Sequence, residues 1–123
     1  AAEFLYFYHR SIRFLPVWIC PTRPHDRTAR YPLYPMDPDR LYVNFGFWDA
    51  IRGREKLPPG HYNRQVEQQV IALGGMKSLY SDSYFTPEEF WRIYNQPAYD
   101  RLKAQYDPDG VLKDLYRKCV LRE

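Results

Sequence analysis

The chain reads as one small α+β domain, an antiparallel sheet with helices on one face, and three observations predict it. At 123 residues there is room for a single core. Two short apolar stretches are strand-sized, and Arg40–Trp48 (RLYVNFGFW) alternates with the period of two that a half-buried strand needs. Elsewhere apolar residues recur at three- and four-residue spacing, punctuated by capping residues, prolines and glycines.

The elements follow in order. Phe4, Leu5, Tyr8 and Ile12 stand at helical spacing, so the chain opens on a helix over Ala1–Ser11, abruptly and with no capping residue before it. Phe14–Pro21 (FLPVWICP) reads as a buried strand ended by proline, and the proline-rich Thr22–Asp39 as a loop. In the Arg40–Trp48 strand, Leu41, Val43, Phe45 and Phe47 point to one side and Tyr42, Asn44, Gly46 and Trp48 to the other. The charged Asp49–Gly60 stretch is turn-rich. Tyr62, Val66, Gln69, Val70 and Leu73 then mark an amphipathic helix that Gly74–Gly75 stops. Met76–Tyr84 (MKSLYSDSY) is expected to be a third strand. Thr86-Pro87-Glu88-Glu89 is a helix start, with Thr as cap, Pro in the first position and Glu89 completing a capping box. Pro97 opens another short helix, Asp107–Gly110 is a turn, and Leu112, Leu115, Tyr116 and Cys119 keep helical spacing to the end. This order is that of a ferredoxin-like unit lacking its first strand, followed by a helical tail. It divides the chain into a partial α+β domain over 1–84 and a helical tail over 85–123, and it suggests a chain that begins inside a larger domain.

Composition excludes several functions. With 45% hydrophobic and 27% charged residues, disorder, collagen and coiled coil are disfavoured. The net charge of +3 comes from 18 basic and 15 acidic residues spread along the chain. No nucleic-acid partner is expected, because such a partner needs its cations on one face, and the densest stretch, Arg52–Lys56, contains Glu55. No apolar run approaches the roughly 20 residues of a membrane span, and Glu3, His9 and Arg10 interrupt any leader, so the expected location is cytoplasmic. Cys20 and Cys119 make neither a disulfide framework nor a zinc site. His25-Asp26 lacks a metal-spaced partner, and the Asp-Pro-Asp segments lack the further ligands of a calcium loop, so no metal is expected. The 12 tyrosines and 3 tryptophans suit a core that borders a ligand or partner.

Where the strand faces align, one side of the sheet collects Trp18, Tyr42, Asn44, Trp48, Tyr80, Asp82 and Tyr84. An apolar wall with a few convergent polar groups is the makeup of a small-molecule site. The same periodicity also fits a face that is solvated or covered by further polypeptide. An acid between two tyrosines is either a structural hydrogen-bonded trio or a device that orients a substrate hydroxyl.

Four segments carry a family resemblance. Pro16–Pro21 (PVWICP), Leu41–Gly46 (LYVNFG), Leu79–Tyr84 (LYSDSY) and Glu88–Trp91 (EEFW) resemble, in order and spacing, segments of Δ24-sterol reductases (Diminuto-like proteins) and their FAD-linked oxidase relatives. Tyr106–Val111 (YDPDGV) is similar to the C-terminal Asp-Pro segment of the wider vanillyl-alcohol-oxidase flavoprotein class. The resemblance implies that the chain is the last part of a cap domain over the isoalloxazine ring, plus a tail that packs back on a FAD-binding domain. That domain, which would bind most of the FAD, lies upstream or on a second chain. The flavin would exchange a hydride with an apolar substrate, sterol-like or another lipid, and the segment alone would be inactive. By the same resemblance, Tyr80 and Asp82 are the catalytic pair, polarising substrate or transferring a proton. Trp18, Tyr42, Asn44, Trp48 and Tyr84 then line the substrate wall. The sterol reductases carry Asp where this chain has Asn44, which leaves that position a hydrogen-bonding role rather than an ionisable one. The alternative function is a stand-alone α+β module binding a small ligand or protein. An RNA-binding sheet would need a basic aromatic pattern that the chain lacks.

Overall fold

The computed structural model describes residues 1–48 and 56–123, so most of the expected Asp49–Gly60 turn and of the basic stretch lies outside the described residues. Helix α1 (Ala2–Ser11) places Glu3 in its first turn and His9 and Arg10 in its last, the sense that favours the helix dipole. It buries Phe4 and Tyr8 on one stripe, with Ile12 just past its end.

Strand β1 (Trp18–Thr22) pairs antiparallel with β2 (Tyr42–Gly46), with Trp18 opposite Gly46, Cys20 opposite Asn44 and Thr22 opposite Tyr42. The strand expected over Phe14–Pro21 is therefore shifted towards the C-terminus. Arg13 turns left-handed at φ +64 and Pro16 offers no N–H, which keeps 14–17 out of the ladder. Pro21 sits inside β1, as a strand with one free edge permits.

Helix α2 (His61–Ala72) starts after Gly60, held at φ +73, and ends where the Gly75 N–H donates to the Val70 carbonyl at 2.8 Å. Helix α3 (Pro87–Ile93) has the expected capping box at Thr86 and Glu89. Asn95, itself left-handed, then accepts from the Ala98 N–H and starts α4 (Gln96–Tyr106), which is longer than the short helix expected after Pro97. A π-helical turn, Arg117–Leu121, ends the chain.

Met76–Tyr84 is not a strand. Three serines weaken its alternation, and side chains rather than a neighbouring strand satisfy its backbone. The Tyr84 N–H donates to Glu67, the Lys77 carbonyl accepts from the Tyr94 hydroxyl at 2.5 Å, and the Asp82 carbonyl accepts from Lys77. The domain is α+β, but the described sheet has two strands and no ferredoxin-like arrangement forms among the described residues.

Two apolar clusters share α2 as a wall. The first joins α1 to the sheet and to Tyr62, Val66 and Val70. In it Phe45 meets Phe4 at 4.8 Å between ring centres and Phe47 meets Tyr8 at 4.6 Å, the sheet face the alternation assigns to helices. The second packs Phe85, Phe90 and Tyr94 against Ile71, Met76, Leu115 and Tyr116. Residues 85–123 thus pack on α2 and the 76–84 segment.

Candidate functional site

The β1–β2 register puts Trp18, Tyr42 and Asn44 on the sheet face that points away from α1. Trp48 joins them from just beyond β2. Gly46 lies beneath both indoles: a Cβ built there would stand 3.0 Å from Trp18 and 3.0 Å from Trp48. The missing side chain lets both rings approach the strand closely, and a Cβ there would push them outward by a few tenths of an ångström. Both indoles remain open to solvent, Trp18 at 50% and Trp48 at 70% of full exposure. Asn44 is also exposed, one pair along the ladder, whereas the Tyr42 hydroxyl accepts the Asp37 N–H at 2.7 Å and so closes the loop before β2. The face is an exposed aromatic surface with an amide at one side. Gly46 was not singled out in the sequence beyond its place in the alternation.

Tyr80, Asp82 and Tyr84 do not join this face, because the strand that would carry them does not form. Tyr80 stands 74% exposed. Asp82 forms an ion pair with Arg122 beyond the π-helical turn, Nη2 to Oδ1 at 2.6 Å. Tyr84 lays its ring on Gly60, where an added Cβ would fall 2.3 Å from a ring carbon. The seven residues expected on one wall therefore divide into an aromatic sheet face and a separate 80–84 group beside α2 and the tail.

Beneath the 80–84 group lies a polar network that sequence reading missed. Glu67 is fully buried on α2, and its Oε1 accepts from Lys77 Nζ at 2.9 Å and from the Tyr84 N–H at 2.9 Å. Lys77 also donates to Ser83 Oγ at 3.1 Å and to the Asp82 carbonyl. Arg64 Nη1 lies 3.6 Å from Glu67 Oε2, and its Nη2 donates to Glu89 Oε1 at 2.5 Å. That hydrogen bond, more than any other influence, holds the Glu89 carboxyl below the usual carboxylate range. Burial pushes the Tyr94 phenol above its ordinary value, which suits a hydroxyl whose task is to hold the Lys77 carbonyl. Two carboxylates and two cations that answer one another make a staple between α2, α3 and the 76–84 segment rather than a proton-transfer site. The signal for it was faint: Glu67 stands beside Val66 and near Val70 on a helix that looks merely amphipathic.

Asp37 and Asp107 are spent on their own turns. Asp37 accepts the Asp39 N–H at 2.9 Å, and Asp107 accepts those of Val111 and Leu112 at 2.8 and 3.0 Å. Among the described residues no three His, Cys, Asp or Glu side chains gather as a metal site, and no helix is long and apolar enough to cross a membrane.

No family model and no solved structure matches the chain. Curated proteins do. It is 27% identical over 118 residues to a Delta(24)-sterol reductase of Rattus norvegicus, covering 95% of this chain and 22% of that protein. It is 25% identical over 115 residues to the Homo sapiens protein of that name, and 23% identical over 126 residues to the Arabidopsis thaliana one, covering 93% and 89% of the chain. In each case it spans 22% of the relative's length. The resemblance carried by four short motifs thus extends nearly end to end, and the chain is similar to about a fifth of a Δ24-sterol reductase.

Proposed function

We propose that this chain is the substrate-side part of a FAD-dependent oxidoreductase acting on an apolar substrate, sterol-like or another lipid, with Trp18, Tyr42, Asn44 and Trp48 as its substrate wall. The observation that carries this reading is the Trp18–Gly46–Trp48 surface. Two exposed indoles close to a bare glycine offer apolar area for a ring system, and Asn44 beside them can hydrogen-bond a hydroxyl or carbonyl. The names of the curated relatives support the substrate class.

The chain's own residues do not fit the dinucleotide. Its six glycines include no Gly-x-Gly pair to cradle a diphosphate, and the start of α2 carries the Tyr84 ring against Gly60. In this proposal FAD and its hydride exchange reside on polypeptide outside this sequence, and the residues here bind and orient substrate. Tyr80 and Asp82, exposed on the separate 80–84 group, are proposed to polarise the substrate or pass a proton where the intact protein brings that group to the substrate wall.

The test uses the full-length, FAD-loaded protein with a Δ24-unsaturated sterol. Trp18→Ala and Trp48→Ala should each raise KM about tenfold, the effect of roughly 1.4 kcal/mol of lost contact, with the melting temperature unchanged. A full-length protein that holds no flavin, or unchanged kinetics in both variants, overturns the proposal. Ligand binding by the chain without any flavin partner would favour the stand-alone module instead.

A further inference from the structure

On the α1 side of the sheet, away from the tryptophans, a groove of about 610 Å³ opens between the C-terminal half of α1, the turn through Arg13 and the start of β1. Most of its lining is apolar, with Leu5, Phe14, Val17 and Ile19 beside Tyr8 and with Leu15 at the mouth. Arg10 and Arg13 bring two guanidinium groups to it, beside His9. The volume lies within the roughly 300–1,000 Å³ of ordinary ligand sites.

Two features of the groove point the same way. Leu15 is 78% exposed at its mouth, a large aliphatic side chain left in water next to further apolar surface. Arg10 and Arg13 have no carboxylate partner among the described residues. Arg10 lies over the Tyr6 ring at 5.3 Å and donates to its hydroxyl at 2.6 Å, and Arg13 Nε donates to the Arg10 carbonyl at 3.1 Å, so neither guanidinium meets an anion. Arg13, left-handed at φ +64, ends α1 with its N–H on the Tyr8 carbonyl at 3.0 Å, which places its side chain at the turn beside Arg10.

We propose that this groove binds an anionic amphiphile with one acyl chain, a fatty-acid-like molecule. Its tail lies along Leu15, Val17 and Ile19, and its acid group is held by Arg10 and Arg13. Charge and apolarity are complementary to such a ligand at both ends: the forks suit a planar carboxylate, and the apolar lining suits a hydrocarbon. The site is separate from the proposed substrate wall and does not depend on it.

The experiment titrates the full-length protein with cis-parinarate, a fluorescent fatty acid, and displaces it with oleate or with dodecyltrimethylammonium. Micromolar binding is expected, displaced by oleate and at least about tenfold less well by the cation-headed amphiphile, a preference worth about 1.4 kcal/mol. Arg10→Gln with Arg13→Gln should weaken parinarate about tenfold or more, while Arg10→Lys with Arg13→Lys keeps most of the affinity. Leu15→Gln, at an exposed position that leaves the fold intact, should weaken it several-fold and keeps the test decisive should the double glutamine variant not fold. Equal displacement by the two amphiphiles overturns the proposal. So does a double glutamine variant that loses only thermal stability, which would return the arginines to favouring the end of α1. Absence of parinarate binding overturns it as well, because the groove is then covered by the rest of the polypeptide.

Discussion

Replacing Lys77 with methionine tests what orders the 76–84 segment. The ammonium has three acceptors: Glu67 Oε1 at 2.9 Å, Ser83 Oγ at 3.1 Å and the Asp82 carbonyl. Methionine keeps much of the apolar stem, whose head lies 5.9 Å from the Phe85 ring centre, so the change removes charge and hydrogen bonds more than packing. Fully buried Glu67 would keep the Tyr84 N–H at 2.9 Å and Arg64 at 3.6 Å. Removing one partner of a buried ion pair costs about 3–5 kcal/mol, and these two remaining groups place the effect near the lower end, about 3 kcal/mol. At roughly 4 °C per kcal/mol for a domain of this size, the melting temperature should fall about 12 °C. Urea unfolding at pH 7, followed by far-ultraviolet circular dichroism, gives the free energy. Glu67→Gln combined with Lys77→Met should cost less than Lys77→Met alone, because no buried charge is left without its cation. A single-variant cost below about 1 kcal/mol, or a double variant as damaging as the two changes summed, would refute the reasoning.

Three further outcomes are expected. The Glu89 carboxyl is held low by Arg64, so its folded pKa lies below its unfolded one. Its contribution to stability is complete above about pH 4.5 and drains as pH falls through the lower folded value; Glu89→Gln should flatten that acid limb in a series of urea midpoints. Gly60→Ala should cost at least about 1 kcal/mol for the left-handed backbone alone, plus displacement of the Tyr84 ring, and thermal melting reads both. Asp82→Asn breaks an ion pair whose members are both more than half exposed, so it should cost under about 1 kcal/mol of stability. A roughly hundredfold fall in turnover of the full-length enzyme with the fold retained would then assign Asp82 to proton handling, and unchanged turnover would remove it.

The parts of the fold legible in the sequence are those whose causes are local. Thr86-Pro87-Glu88-Glu89 holds its own capping box, and the alternation of β2 sorts Phe45 and Phe47 to α1 and Asn44 and Trp48 away from it. The Met76–Tyr84 segment looks like a strand in sequence and is not one because its partners are distant: Glu67 and Tyr94 bind its backbone from other elements, and no period within nine residues can express that. The start of β1 was misplaced because apolar Phe14 and Leu15 look strand-like, while the left-handed turn at Arg13 that excludes them leaves no mark in hydropathy. The aromatic face was legible for the same reason as β2. Its extension to Tyr80, Asp82 and Tyr84 failed with the strand that would have carried it.

The three tryptophans occupy two kinds of surroundings. Trp91 stands edge-on to Phe90 at 5.0 Å and lies 4.9 Å from Tyr99, within the α3 cluster, while Trp18 and Trp48 lie open on Gly46. The emission spectrum should therefore divide by wavelength. Its short-wavelength side comes from Trp91 and follows the integrity of the α3 cluster; its long-wavelength side comes from the wet pair and follows whatever settles on the sheet. A ligand that quenches the red side without moving the blue has met the aromatic face, and a uniform shift to the red means that the chain has come apart. This stretch of chain thus carries a two-channel optical gauge that needs no added dye.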